Sequence, residues 1–310
     1  MPTRANPMKP LLLLLLASLL PAQTPPKRPK ILGVAHIALY VHDIEKSRQY
    51  YRDLLGYEEV FLLNMADGKL SLTFVKINDH QYIELFPETQ AETDRLNHIS
   101  IEVDDAEAMR AYLGSKGIKV PDKVGKGRIK NSNFNVKDPD GHTLEIVQYE
   151  PDGWTMLNRG KALNGPRLSN RMMHLGILVG KLEPAMKFYR DILGFEEIWR
   201  GARSEKRLDW VNMKVPDGND YIEFMLYDQM PGATQRGSQH HICLEVPDIE
   251  KTLTTLKSSN LYTKPLEIRT GINRRRQLNV FDPDGTRTEF MEPKTVDGKP
   301  APSSTAPPPQ

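Results

Sequence analysis

One pattern occurs four times along this 310-residue chain: a strand-like run carrying a histidine, followed at a nearly constant interval by a glutamate in another such run. The pairs are His36/Glu84, His98/Glu145, His174/Glu223 and His241/Glu289, separated by 48, 47, 49 and 48 residues. A chain that repeats itself in this way is built of repeated supersecondary units. Histidine and carboxylate at matching points of apolar alternation point to ligands for a divalent metal.

The repeat is nested. Tyr50-Tyr51-Arg52-Asp53-Leu54-Leu55-Gly56 recurs as Phe188-Tyr189-Arg190-Asp191-Ile192-Leu193-Gly194, and Asp138-Pro139-Asp140-Gly141 recurs as Asp282-Pro283-Asp284-Gly285. Two halves follow, residues 31–152 and 171–293, joined by a linker over 153–170 in which Gly153, Gly160, Gly165 and Pro166 interrupt any periodic pattern. Each half divides again. In the first unit Val34–Val41 reads as a strand and Ile44–Leu55 as a helix, with Asp43 as its cap and Gly56 as its stop. Strands follow near Val60–Leu63, Leu70–Lys76 and Gln81–Phe86. The second unit has a strand Asn97–Val103, a helix Ala106–Lys116 and strands reaching Phe134–Val136 and His142–Tyr149, and the third and fourth repeat the scheme from Met173 and His240. The fold class is therefore α+β, with four βαβββ modules paired into two domains.

Strand parity assigns the faces. Ile37, Leu39 and Val41 share one side of their strand and His36 the other; Ile99, Ile101 and Val103 oppose His98, and Leu144 and Ile146 oppose Glu145. The helices cover the apolar face, so the His/Glu face looks into the concavity of a curved sheet. Cys243, two residues beyond His241, shares its face and is read as packing, because small residues suit a crowded barrel interior. It is the one cysteine, so no intrachain disulfide forms.

The ends differ in kind. Arg4 and Lys9 precede the leucine-rich run Leu11–Leu20 and the small residue Ala22, the layout of a signal peptide over residues 1–22 and hence of an exported, periplasmic or secreted protein. As a helix that run would span ~15 Å, about half a bilayer core, so no permanent membrane anchor is expected. Residues 23–30 form a Pro/Lys-rich lead-in, and residues 294–310 are expected to be a disordered tail. A net charge of +2 offers no broad surface for nucleic acid, and Arg274-Arg275-Arg276, the one dense basic cluster, fits a solvated loop or strand end, with a clamp for an anionic substrate as the alternative.

The opening strand histidine, the Tyr-Tyr-Arg-Asp-Leu-Leu-Gly helix end and Asp-Pro-Asp-Gly-x-x-x-Glu (Asp138–Glu145, Asp282–Glu289) resemble the glyoxalase/bleomycin-resistance/extradiol-dioxygenase, or vicinal oxygen chelate, superfamily. The resemblance implies two glyoxalase-like domains, each pairing two βαβββ units around one site. It implies one divalent metal per site (Zn, Ni, Mn, Fe or Co), held by His36, Glu84, His98 and Glu145 in the first half and His174, Glu223, His241 and Glu289 in the second. Members with three ligands lack a carboxylate at the position of Glu84 or Glu223, so its presence twice favours the isomerase-like set. Ring-cleaving members carry a catalytic tyrosine where this chain has Asn135 and Asn279, which become substrate-side candidates.

These residues permit proton transfer beside a carbonyl. The metal would stabilise the negative oxygen that develops as a proton leaves carbon, and a glutamate would act as base: Glu145 first, Glu84 second, with Glu289 and Glu223 as counterparts. The expected function is a metal-dependent lyase or isomerase of glyoxalase type acting on a small α-oxo or α-hydroxycarbonyl compound. The alternatives are an extradiol ring-cleaving dioxygenase and a non-catalytic protein that sequesters a small molecule. The expected partner is a small-molecule substrate. Four units in one chain remove the need for a second, so a monomer is expected.

Overall fold

A computed structural model of the chain describes Met1 and residues 26–91, 93–237 and 239–309, and each half forms a curled mixed sheet of eight strands. In the first half these are β1 (Ile31–Val41), β2 (Glu58–Asn64), β3 (Leu70–Lys76), β4 (Tyr82–Pro87), β5 (Leu96–Val103), β6 (Gly125–Lys126), β7 (Ser132–Lys137) and β8 (Thr143–Gln148). The second half has β9 (Met172–Val179), β10 (Glu196–Gly201), β11 (Trp210–Lys214), β12 (Tyr221–Leu226), β13 (His241–Glu245), β14 (Ile268–Thr270), β15 (Arg275–Phe281) and β16 (Arg287–Thr295).

The strand orders are β2-β3-β4-β1-β5-β8-β7-β6 and β10-β11-β12-β9-β13-β16-β15-β14. Within a module the first and last strands run parallel, and β1 and β5 join the two modules antiparallel. The order β4-β1-β5-β8 therefore sets the strands of Glu84, His36, His98 and Glu145 side by side at the middle of the sheet. β12-β9-β13-β16 does the same for the second set. A bulge between Val34 and His36 shifts the alternation, so that Val34 and Ile37 both enter the apolar core.

Asp43 caps α1 (Ile44–Arg48), its side chain accepting from the Glu45 and Lys46 amides. The segment expected as one α-helix changes pitch: residues Gln49–Leu54 form a π turn, repeated at Lys187–Ile192 in the second half. The wider turn lets two adjacent aromatics in each copy, Tyr50/Tyr51 and Phe188/Tyr189, become buried together. Gly56 and Gly194 end both helices at φ +80° and +78°, a left-handed conformation that favours glycine.

One apolar core runs through both halves, with Ile37 and Leu39 from the first and Leu175 and Ile177 from the second. The two recurring motifs meet there. Tyr51 Oη donates to Asp282 Oδ2 at 3.0 Å, and Tyr189 Oη donates to Asp138 Oδ2 at 3.0 Å, each tyrosine reaching the Asp-Pro-Asp-Gly turn of the opposite half. Gln81 adds a two-way amide bond to the backbone of Met172.

Several segments depart from expectation. The tail is not free of contacts: Pro302 O accepts from Trp199 Nε1 at 3.1 Å, Ser304 N donates to Arg200 O, Leu208 N donates to Pro307 O, and Ala306 is buried. Apart from Ala306 it buries no side chain among its described residues, but its backbone supplies partners to the edge of the second sheet. The linker contains a short helix, Trp154–Leu157, and carbonyls of Asn158 and Lys161 accept from the buried Lys76 Nζ. The signal-peptide segment lies outside the described residues apart from Met1. Among the described residues no helix is long and apolar enough to cross a membrane.

Candidate metal centre

Four side chains with ligand atoms converge on the concave face of the first sheet. His36 Nε2 lies 3.0 Å from His98 Nε2, 3.3 Å from Glu145 Oε2 and 3.5 Å from Glu84 Oε1. His98 Nε2 lies 2.9 Å from Glu145 Oε2 and 3.8 Å from Glu84 Oε2. Ligands ~2.1 Å from one ion at tetrahedral or octahedral angles stand about 3.0–3.4 Å apart, so the spacing fits a single small cation. His98 Nδ1 donates to Asn97 Oδ1 at 3.0 Å, which commits the proton there and aims the Nε2 lone pair at the site. That lone pair then faces a carboxylate oxygen and a second imidazole, an arrangement that can hold a cation among them.

Burial pushes the Glu84 carboxyl well above the usual range, and the Glu145 charge pushes it the same way. Burial acts on Glu145 too, but the pull of His36 and His98, when those imidazoles are protonated, outweighs it and holds that carboxyl low. Burial also lowers His36, favouring the neutral imidazole that a metal requires.

The second half repeats the cluster. His174 Nε2 lies 3.1 Å from His241 Nε2 and 3.5 Å from Glu289 Oε2; His241 Nε2 lies 3.5 Å from Glu223 Oε2. Burial takes His174 down to about 3, and burial together with the Glu223 charge raises Glu289 to about 7 against the opposing pull of Arg287. His241 packs where a side chain would collide: a Cβ on Gly176 would lie 1.8 Å from His241 Cε1, whereas the first half has Ala38 opposite His98. Cys243, read as packing on the face that carries the site, does pack among Met173, Tyr221 and Met291, and it also offers a ligand atom within 4.8 Å of those of His174 and Glu289.

The structure thus brings together all eight expected histidines and glutamates, in two clusters. It does not bring Asn135 to the first. Asn135 is exposed and lines a separate hollow with Ile118 and Pro121, although it stands opposite Glu145 in register. Asn133, one diagonal away in the twisted pair, donates to Glu145 Oε1 at 2.7 Å. In the second half Gln277, not Asn279, lines the cavity, and Asn279 Oδ1 is buried without a hydrogen-bond partner among the described residues. Residues that sequence reasoning passed over include Phe74, Tyr82, Phe86 and Tyr149, which wall a cavity of about 210 Å³ above the first cluster. Alternation with Glu84 was the available signal for Tyr82 and Phe86.

The family model described as the Glyoxalase/Bleomycin resistance protein/Dioxygenase superfamily matches residues 33–146 and 171–290. The lactoylglutathione lyase of Schizosaccharomyces pombe is 22% identical over 305 residues, covering 84% of this chain and 96% of that protein. Two solved structures share the fold at 17% identity. The 2,3-dioxygenase LapB from Pseudomonas sp. KL28 has a TM-score of 0.66 over 90% of this chain and 99% of its own. The Mn(II)-bound glyoxalase from Novosphingobium aromaticivorans has 0.63 over 90% and 87%.

Proposed function

Because this chain belongs to the Glyoxalase/Bleomycin resistance protein/Dioxygenase superfamily, we propose that it is a divalent-metal-dependent lyase or isomerase of glyoxalase type acting on a small α-oxo or α-hydroxycarbonyl compound. The observation that carries this reading is the convergence of four groups, with Glu84 as well as Glu145 beside the His36/His98 pair. His36, Glu84, His98 and Glu145 would hold the ion, and the second set would hold another. Zn, Ni, Mn, Fe and Co all suit N and O donors. When bound, the metal supplies Lewis-acid stabilisation of charge developing on a carbonyl oxygen.

The chain's own residues do the rest. Glu145 is ionised at neutral pH and so is able to receive a proton, while Asn133 fixes its second oxygen. Phe74, Tyr82 and Phe86 wall the cavity and limit water around the reacting carbon. The ring-cleaving alternative draws less support, since the positions matched to its tyrosine are amides and Asn135 lies outside the cavity. Export is part of the proposal, resting on the leucine-rich run at Leu11–Leu20, and fractionation of the expressing cell checks it.

The test is solvent-deuterium exchange into hydroxyacetone and methylglyoxal, with and without glutathione, using metal-loaded protein. Incorporation that Glu145→Gln abolishes supports the reading. Oxygen uptake with catechols, or ligand binding without turnover or metal, would replace it with one of the alternatives.

A further inference from the structure

The two concave faces share their His/Glu set and differ in charge. Positions held by Thr143 and Asn131 in the first half are Arg287 and Arg275 in the second, and Phe74 and Phe86 are replaced by Asn212 and Met225. The second cavity, about 270 Å³, has Arg203, Arg269 and Arg287 in its wall. Arg203 pairs with Asp209 at 3.1 Å and Arg269 with Glu267 at 2.6 Å, so both charges are matched. Arg287 and Arg275 are not matched: among the described residues no carboxylate lies within 4.0 Å of either guanidinium.

Their actual partners are few. Arg287 Nη2 meets Met225 Sδ at 3.6 Å and His241 Nδ1 at 2.7 Å, and its Nε is buried with no hydrogen-bond partner among the described residues. Arg275 Nη1 meets Met173 Sδ at 3.5 Å. A guanidinium presents five donors and no acceptor, and a thioether is a poor acceptor for it. Nor can His241 serve Arg287 once it ligates. Nδ1 also faces Gln239 O at 2.9 Å, and with Nε2 on a metal the proton sits on Nδ1 and donates to that carbonyl. Arg287 then loses its one good acceptor beside the site, where an anion would restore it.

We propose that the second cavity binds a small organic carboxylate, with Arg287 on its anionic end and Arg275 in support, while the first cavity, walled by Phe74, Tyr82 and Phe86, takes an uncharged ligand. The arginine in the first cavity, Arg128, is already engaged with Asn64 O and Ser71 Oγ at 3.0 and 2.7 Å. A planar carboxylate suits the guanidinium fork, and an α-oxo acid would also present its carbonyl toward the ligand set. The inference rests on the proposed function in taking the His/Glu face as the ligand face.

The experiment is calorimetric titration of the metal-loaded mature protein with pyruvate, hydroxyacetone and inorganic phosphate, with metal content measured on each sample. Pyruvate should bind at one site per chain, and Arg287→Gln should weaken it at least tenfold with both metals retained. Arg275→Gln should weaken it less, and Arg128→Gln should leave it unchanged. Hydroxyacetone binding should not respond to Arg287→Gln. Unchanged pyruvate binding in both Arg287→Gln and Arg275→Gln, phosphate binding as tight as pyruvate, or loss of pyruvate only in samples that lose metal would each overturn the proposal. Arginine-dependent pyruvate binding in a protein with no metal in the second half would uphold it while removing the metal reading for that half.

Discussion

His36 and His98 bring their Nε2 atoms to 3.0 Å of each other across the antiparallel seam between two modules, and His174 and His241 do the same at 3.1 Å. Because each imidazole comes from a different module, neither module alone can form the pair. Its removal should be felt as metal loss. His98→Ala should empty the first half and His241→Ala the second, each lowering metal content by about half as measured by elemental analysis. A fully loaded double variant would contradict the assignment.

Asn133 should matter and Asn135 should not. Asn133 Nδ2 orients the Glu145 carboxylate, and groups that orient metal ligands in this way are worth about 10–100-fold in affinity. Asn133→Ala should lower first-half metal affinity by that amount in chelator competition, with Asn135→Ala indistinguishable from the parent. Equal effects would show that the bond seen here does not hold Glu145.

Gly176 gives the second half a sensitivity that the first lacks. A Cβ there collides with the His241 ring, so Gly176→Ala should displace that imidazole and reduce second-half metal while the first half stays loaded. Full occupancy of both halves in Gly176→Ala would mean that His241 has room the structure does not show.

Asp282 carries a pH signature. Burial raises its carboxyl to about 6, above its unfolded value near 4. A raised folded value means the native state holds the proton more tightly, so this group's contribution is fully present below pH ~4 and lost as pH rises through ~6. Asp282→Asn removes the titration. The difference in unfolding free energy between variant and parent should move in the variant's favour by up to about 3 kcal/mol between pH 4 and 6. A difference independent of pH would refute it.

The eight histidines and glutamates were legible because two simple periods coincide: strand alternation sets the face, and the module length sets the position along it. Asn135 misled because it was matched by its distance from a motif. Register does place it opposite Glu145, but the twist of the β7/β8 pair brings Asn133 to the carboxylate. Cys243 shared the right face, yet parity alone does not distinguish a packed thiol from one near ligand distance. β6 and β14 have two and three residues, too few for any period to register. The π turn's only trace is a pair of adjacent aromatics. The tail's contacts run through Trp199 and backbone carbonyls, which composition does not reveal.

His36, Glu84, His98 and Glu145 are proposed to share one divalent ion. Anomalous diffraction at the absorption edge of the metal found in the purified protein tests it directly. A peak bounded by these four side chains is expected, with ligand atoms about 2.0–2.2 Å away. A fully loaded crystal whose peaks lie elsewhere, or a cluster closed by direct hydrogen bonds with no peak at all, would contradict it.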